Sequence, residues 1–216
     1  MGARAEKREK ILDAAIKTFA RKGFHQSRVT DIAQEAGVAD GTIYLYFRNK
    51  DDVLISIFEE KMKMIHDRML QSLENIKDPR ARLSQFISFH LTQLERYRPL
   101  AEIMQVELRL SSKFMKEYVP TQLTEYLNLL ATIVQEGQEA GVFRPDVNPA
   151  IMKRAIFGAM DELALNWVLT KGRRFDLRRN AEELSVVFLR GLLINPEEAT
   201  AFCQAPRPRE GAGGAG

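Results

Sequence analysis

Apolar residues recur every three or four positions along most of the chain, which is the spacing of a buried helix face. The pattern predicts a first helix over residues 5–22, which Gly23 ends in the usual C-terminal position. Thr30 is the expected cap of a second, short helix that stops at Gly37, and residues 39–47 form a third. Two short helices joined by a tight turn at a glycine indicate a helix-turn-helix unit.

Longer helical patterns occupy the rest of the chain. They cover residues 50–76, 79–96, 100–110, 120–141, 150–169 and 177–193. No segment shows the alternation of a strand. The predicted fold is therefore all-α with about nine helices, a three-helix helix-turn-helix head followed by a larger helical ligand-binding and dimerisation bundle. We assign residues 1–50 to the head and 51–195 to the body, and the Pro, Gly and Ala content of residues 196–216 predicts a disordered tail.

Composition narrows the class of protein. The chain has 216 residues, of which 45% are hydrophobic and 28% charged, a balance typical of a globular protein with a substantial core. Apolar runs are too short for a membrane span or a signal peptide, which predicts a cytoplasmic protein. The single Cys203 excludes an internal disulfide, and His25, His66 and His90 lack the spacing of a metal site, so we expect no cofactor.

Charge is unevenly distributed along the chain. Residues 1–50 contain ten Lys and Arg residues against six Asp and Glu residues, a surplus of four, whereas the whole chain has a net charge of +3. The other residues therefore sum to −1. A basic head on a near-neutral body favours an anionic partner such as DNA, although an ordinary solvated surface explains four surplus charges equally well.

The third predicted helix has two distinct sides. On an ideal helix Ile43 and Phe47 lie together, and we expect them to pack against the first helix. The opposite side presents Gly41, Thr42, Tyr44, Leu45 and Arg48, with Tyr46 near the edge. This outward set suits a recognition helix in the major groove of DNA. The alternative is that the tyrosines cover neighbouring helices and the head is only a structural subdomain.

Each of these residue types suits a DNA contact. Gly41 has no side chain, so the backbone can approach the duplex closely, and Leu45 suits a thymine methyl group. The hydroxyl groups of Thr42 and the tyrosines suit phosphate oxygens or base edges. Phosphate contacts at the starts of the second and fourth helices are expected from Arg28, Thr30 and Lys50.

The string "IAQEAGV…GTIYLYF…K", within residues 5–58, resembles the DNA-binding head of the tetracycline-repressor (TetR) family. The resemblance implies a homodimeric transcription regulator with a helical ligand-binding body. The positions that it assigns to DNA are Thr42, Tyr46 and Lys50 for the backbone and Gly41, Tyr44 and Leu45 for the groove. Two positions depart from the family pattern: Ala39 replaces a common capping serine, and Leu45 replaces a common polar side chain.

The body offers no convincing catalytic arrangement. His66 and Asp67 are neighbours in sequence and point in different directions on a helix, and His90 is better explained as a partly buried polar residue. We therefore predict a binding protein and not an enzyme. An enzyme, or a pure interaction module, remains the alternative from a different class.

Two largely apolar segments of the body contain polar groups that need partners. One contains Arg109, for which an ion pair with Glu102 or Glu107, or a solvated position, is the structural explanation. The other contains Asn166 and Trp167, and core or interface packing explains the tryptophan. The polar groups of the two segments, which include Glu107 in the first and Asp161 in the second, either pair with each other, face the dimer partner or contact a ligand.

Apolar stripes around these positions, including Phe89, form either a core or a long slot between helices. Basic residues near the bends of the chain are Arg96, Arg98, Lys171, Arg173 and Arg174. An apolar slot with a basic mouth suits an amphiphile with an anionic head, such as a long-chain acyl-CoA whose phosphates meet Arg or Lys.

The strings "VELRLS" and "IFGAMDE…WV" extend the resemblance to about residue 194 and to the acyl-CoA-responsive repressors of fatty-acid degradation (the FadR type) within the TetR family. This resemblance implies that Arg109, Asn166 and Trp167 lie near the effector and that acyl-CoA releases the repressor from its operator. The alternative is a TetR-type repressor that responds to hydrophobic drugs or other small molecules. Its candidate ligands for a cation are Glu107, Asp161, Glu162 and Trp167.

The last two predicted helices carry apolar stripes with small residues that permit close approach: Phe157, Gly158, Leu165, Leu184, Phe188, Gly191 and Leu192. Pairing these helices with their symmetry mates gives a four-helix dimer interface. Such a dimer can place its two heads about 34–36 Å apart in successive major grooves of a palindromic operator.

Overall fold

A computed structural model describes residues 2–170, 175–195 and 197, apart from the side chains at positions 110 and 112. Four residues named above, Lys171, Arg173, Arg174 and Cys203, lie outside the described residues. The predicted tail, except residue 197, also lies outside them. The described part of the chain is helical with no strand, which confirms the all-α prediction.

The head contains three helices, α1 (Ala3–Lys22), α2 (Val29–Ala36) and α3 (Asp40–Tyr44). Apolar faces of α1 and α2 are fully buried against each other, and Ile43 and Phe47 join this core as predicted. The turn between α2 and α3 begins at Gly37, whose φ of 64° and ψ of 41° are left-handed, a conformation that glycine adopts without a Cβ clash.

Two expectations for the head were wrong in detail. Thr30 does not cap α2, because Val29 is already helical and Arg28 occupies the cap position. The Asp31 carboxylate instead accepts the N–H of Arg28 at 2.8 Å, which satisfies a free donor at the helix start. The third helix ends at Tyr44, and a turn in which the N–H of Phe47 bonds the carbonyl of Ile43 at 3.0 Å continues it.

The body begins within α4 (Lys50–Leu73), which runs without a break out of the head. The other long helices of the body are α5 (Pro79–Arg96), α9 (Thr121–Glu139), α10 (Pro149–Leu169) and α11 (Leu177–Leu192). Side chains of Asn49, Asp78, Asn148 and Asp176 cap four of these helices by accepting backbone N–H groups. The core lies where α5 packs against α9, α10 and α11.

The segment predicted as one helix over residues 100–110 is divided. It consists of α6 (Arg98–Glu102), a π-helical turn (Ile103–Glu107) and α7 (Leu108–Leu110), followed by the short α8 (Ser112–Lys116). A π-turn inserts an extra residue into a helix and is common at functional sites. The extra residue rotates the side chains that follow it around the helix axis. The spacing of apolar residues in the sequence does not reveal this rotation.

Candidate nucleic-acid interface and effector site

The outward side of α3 is open to solvent. The large side chains of Tyr44 and Leu45 are 59% and 72% exposed. The preceding residue, Ile43, is only 1% exposed. A Cβ built on Gly41 would meet no atom within 4 Å. The structure therefore brings three predicted groove-facing positions onto one exposed surface, which we call the α3 surface: Gly41, Tyr44 and Leu45.

The residues predicted to contact the DNA backbone differ in solvent exposure and in their contacts within the head. Arg28 and Thr30 are exposed at the start of α2, and Thr42 is half-buried. The half-buried Tyr46 ring lies 6.4 Å from the ring of Phe47, with the Arg4 guanidinium 5.8 Å from its centroid. The ring of Tyr46 thus packs against the head, as the structural alternative for the tyrosines predicted.

Lys50 is occupied inside the head. Its ammonium group donates to the carbonyl oxygens of Phe24 at 2.6 Å, His25 at 3.2 Å and Ser27 at 2.9 Å. The same group lies 4.4 Å from the centroid of the Phe24 ring. An ammonium group has three N–H donors, so none is left for a phosphate in this arrangement. Lys50 therefore fixes the turn between α1 and α2, and its contact with DNA stays a prediction.

The same turn is held from the body by Glu107. This residue ends the π-turn, and its Oε2 accepts the backbone N–H of Phe24 at 2.6 Å. Nearby, the hydroxyl of Ser111 donates to Oδ1 of Asp51, at the start of α4, at 3.0 Å. The Glu107 contact joins the body to the head at the turn that Lys50 clamps, and the Ser111 contact holds the first turn of α4, next to Lys50. The sequence analysis did not predict this junction. The only sign of it in the sequence was the Glu107 carboxylate in a largely apolar helix.

Arg109 pairs with Asp161 of the second polar segment, and pairing between the two segments was one of the alternatives that the sequence left open. Its guanidinium Nη2 donates to Oδ1 and Oδ2 of Asp161, on α10, at 2.7 and 2.6 Å, and to Gln105 at 3.2 Å. The ion pair with Glu102 or Glu107, one of the structural explanations for Arg109, does not form, because Glu102 pairs with Arg98 and Glu107 faces the head. The guanidinium side chain is 41% exposed, so it lies at the rim of the body.

Trp167 and Asn166 lie further along α10. Trp167 is buried, and the Arg98 guanidinium lies over its ring, 4.8 Å from the centroid, while Arg98 also donates to the carbonyl of Val168 at 2.8 Å. The amide of Asn166 donates to the carbonyl of Glu162 at 2.9 Å within the same helix. Two arginines from the segment that contains the π-turn thus contact α10, almost two helical turns apart.

His90 forms a buried polar pair with Tyr126, which agrees with the prediction of a partly buried polar residue. Its Nδ1 lies 3.0 Å from the Tyr126 hydroxyl oxygen. Burial lowers the pKa of His90 to about 4, although the charge of Asp161 opposes that shift. Phe89, the predicted apolar contact of the ligand, precedes His90 on α5 and is partly buried against the core.

One surface depression of about 380 Å³ lies between α1 and the end of α2, and another of about 360 Å³ lies along α4 beside Glu9 of α1. Neither depression contains a predicted effector residue. Within the described ranges no group of three or more His, Cys, Asp or Glu residues is placed to hold a metal ion. No helix among these residues is long and apolar enough to cross a membrane.

Comparisons with known proteins agree with this architecture. The chain is 40% identical over 167 residues to the fatty acid metabolism regulator protein of Bacillus subtilis, a match that covers 77% of this chain and 86% of the relative. The structure resembles that of FadR from Bacillus subtilis in complex with stearoyl-CoA, with a TM-score of 0.79 and 36% identity over 84% of this chain and 97% of that one. It also resembles the fatty acid degradation regulator FadR from Bacillus halodurans, with a TM-score of 0.80 and 38% identity over 88% and 96% of the two chains.

Family matches account for both parts of the chain. Residues 11–57 match the bacterial regulatory proteins of the tetR family, and residues 58–191 match the C-terminal region of the YsiA-like proteins. The chain therefore belongs to the TetR family, with a YsiA-like C-terminal region, and is a transcriptional regulator rather than an enzyme.

Proposed function

We propose that this chain represses transcription by binding a palindromic operator as a dimer, and that long-chain acyl-CoA releases it so that fatty-acid degradation genes are expressed. The observation that carries the proposal is the likeness, over 84% of the chain, to a regulator solved with stearoyl-CoA. The likeness includes the body, which matches the YsiA-like region. A protein that acts on bacterial DNA works in the cytoplasm.

The α3 surface supports binding in the major groove. Tyr44 and Leu45 project from it, and Gly41 leaves the backbone free to approach base edges. Arg28, Thr30, Thr42 and Tyr46 flank the surface and supply phosphate contacts, which set the position of the recognition helix. Leu45 offers an apolar contact rather than a hydrogen bond, so we expect it to favour a thymine methyl group.

Exposed apolar residues on α10 and α11 support dimerisation. Ile151 on α10, Val187 on α11 and Ile194, just after α11, are each about 60% exposed in the single subunit. A Cβ at Gly158 or Gly191 would meet no atom of its own subunit, so a second copy can approach both helices closely. Two-fold pairing of these faces makes an isologous interface and requires a palindromic DNA site.

The rim around Arg109 supports binding of the anionic part of an amphiphile. The guanidinium of Arg109 is partly exposed, and Phe89, Asn166 and Trp167 lie on the helices α5 and α10 that border the core. A phosphate or carbonyl group of the ligand competes with Asp161 for the Arg109 guanidinium, because hydrogen bonds donated by a charged guanidinium are strong. The acyl chain then occupies the apolar interior between the helices of the body.

The π-turn supports a route by which the ligand acts on the head. Arg109 faces α10, whereas Glu107, two residues earlier, holds the N–H of Phe24. A ligand that displaces this segment or α4 breaks the contact with the turn that Lys50 clamps, and the two heads lose their spacing. The ligand needs to favour the released geometry by only about 1–3 kcal/mol to lower operator affinity 5- to 150-fold.

The alternative effector, a hydrophobic cation, finds less support. Its candidate carboxylates are already bonded: Glu107 accepts a backbone N–H, Asp161 pairs with Arg109, and Glu162 accepts the Asn166 amide. The face of Trp167 on which a cation would stack lies under the Arg98 guanidinium. Thermal shifts with palmitoyl-CoA and with a quaternary ammonium dye separate these effector classes, and we expect only palmitoyl-CoA to stabilise the protein.

Selection of DNA fragments tests the proposed function and identifies the operator in the same experiment. Purified protein is incubated with sheared DNA from the source genome, and the retained fragments are sequenced with and without palmitoyl-CoA. We expect a palindromic motif upstream of fatty-acid degradation genes and loss of that motif when palmitoyl-CoA is present. Retention of no specific motif would refute the DNA-binding part, and retention that palmitoyl-CoA does not change would refute the effector part.

Replacement of Arg109 by alanine is expected to weaken binding of palmitoyl-CoA about tenfold to a hundredfold, because a charge-assisted bond to the ligand contributes about 1.5–3 kcal/mol. Isothermal titration calorimetry measures the change. The matched control is Arg144→Ala, which removes an exposed arginine that also pairs with an aspartate, Asp146, at 2.6 Å. Arg144→Ala should bind palmitoyl-CoA like the wild type, and equal binding by Arg109→Ala would remove Arg109 from the effector site.

A further inference from the structure

The polar pair between α5 and α9 has an unused hydrogen-bonding atom. Tyr126 is fully buried, and its hydroxyl oxygen lies 3.0 Å from Nδ1 of His90. Nε2 of the same imidazole is buried and has no hydrogen-bond partner within the described part of the chain. An unpaired polar atom in an apolar interior is costly, so it indicates a partner that is absent from the free subunit.

The hydrogen bond between His90 and Tyr126 determines whether Nε2 of His90 is a donor or an acceptor. If Nδ1 accepts the hydroxyl proton of Tyr126, the imidazole proton is on Nε2, and one N–H is left without a partner. If Nδ1 carries the proton instead, both the Tyr126 hydroxyl proton and the Nε2 lone pair are left unpaired. The first tautomer leaves fewer unpaired groups, so His90 presents a neutral N–H donor.

This donor lies between an aromatic interior and a charged rim. The His90 ring is 5.8 Å from the Tyr126 ring and 6.1 Å from the Phe157 ring, on α10. Asp161, one helical turn after Phe157, pairs with Arg109. Asp161 forms no hydrogen bond with Nε2, so it does not satisfy the donor.

We propose that Nε2–H of His90 binds the thioester carbonyl oxygen of the acyl-CoA effector and thereby fixes the depth at which the acyl chain enters the body. This inference rests on the proposed function. The hydrocarbon part of an acyl-CoA contains no hydrogen-bond acceptor, and the thioester carbonyl is the first one met on the way out of the interior. A quaternary ammonium ligand offers no acceptor at all, so the same donor also selects against a simple hydrophobic cation.

The test compares palmitoyl-CoA with S-hexadecyl-CoA, a thioether that has the same CoA moiety and chain length and lacks the carbonyl oxygen. Calorimetry should show that the wild-type protein binds the thioester about tenfold more tightly, the effect of one hydrogen bond formed by a buried donor. Equal affinities for the two ligands would overturn the inference and leave the proposed function standing, since water or another group would then satisfy Nε2. Binding of neither ligand would overturn the proposed function as well.

Variants of His90 assign the difference to this side chain. His90→Asn keeps an acceptor near the Tyr126 hydroxyl and loses the distal donor, so its affinities for the two ligands should become equal. His90→Gln places an amide N–H near the position of Nε2 and should restore part of the preference. His66→Phe is the control, because His66 also faces the Tyr126 ring, at 6.4 Å, and this variant should keep the full preference.

A further variant covers the case in which the single substitutions unfold. His90→Phe combined with Tyr126→Phe removes both members of the pair and leaves no buried polar group, which is often nearly neutral for stability. It should bind the two ligands equally. A tenfold preference for the thioester in this double variant would overturn the inference.

Discussion

Replacement of Lys50 by methionine should reduce operator affinity at least a hundredfold and destabilise the head by about 3 kcal/mol or more, because three carbonyl groups lose a charged donor. The affinity for the operator falls because the turn between α1 and α2, beside the helix-turn-helix unit, is no longer fixed. The salt dependence should stay as in the wild type, since the three carbonyl contacts leave the ammonium no N–H for a phosphate. Fluorescence anisotropy at several salt concentrations measures both quantities.

Arg28→Met is the matched control for this effect. Arg28 is exposed at the start of α2, where a phosphate contact is expected. Its loss should reduce the magnitude of the slope of log K against log salt by about one, with little change in stability. If Lys50→Met instead reduces the slope by about one and leaves the unfolding midpoint unchanged, Lys50 contacts the DNA backbone directly, as the family resemblance implies.

Replacement of Glu107 by alanine should uncouple the effector from the operator. The substitution removes the acceptor for the Phe24 N–H, so the contact that we assign to the operator-binding state is lost before any ligand binds. Operator affinity without effector should fall about tenfold, and affinity for palmitoyl-CoA should rise by a similar factor, since coupling between two sites is reciprocal. The ratio of operator affinities without and with palmitoyl-CoA should approach one.

Glu102→Ala provides the comparison for Glu107. Glu102 lies on α6, just before the π-turn, and pairs with Arg98 rather than with the head. Its loss should leave the ratio of operator affinities close to that of the wild type. If Glu107→Ala also keeps the wild-type ratio, the signal reaches the head by another route, such as the Ser111–Asp51 contact or α4 itself.

The head was predictable because its determinants are local. Periodicity placed Ile43 in the core and Leu45 outside it, and both placements follow from the spacing on one short helix. Gly37 marked the turn because few other residues adopt its left-handed conformation. The cap of α2 was misplaced by two residues, because the helix begins at Val29 and the Asp31 carboxylate, inside its first turn, satisfies the N–H of the cap residue Arg28.

The contacts that support function were less predictable because they join distant segments. For Arg109 an ion pair within its own helix was one structural explanation, yet its partner Asp161 is on α10. Glu107 belongs to the π-turn and bonds Phe24 in the head, a contact that apolar spacing does not indicate. His90 is a similar case, because its bond to Tyr126 joins two distant helices. The sequence does not show that Tyr126 occupies Nδ1 and that Nε2 is left unpaired.

Release of a labelled operator duplex by palmitoyl-CoA tests the central claim most directly. Wild-type protein is bound to the duplex that the genomic selection yields, and anisotropy is followed as palmitoyl-CoA is added below its critical micelle concentration, with free CoA and palmitate as separate controls. We predict that palmitoyl-CoA lowers operator affinity at least fivefold and that neither control does so. Unchanged anisotropy at a palmitoyl-CoA concentration that calorimetry shows to saturate the protein would contradict the account.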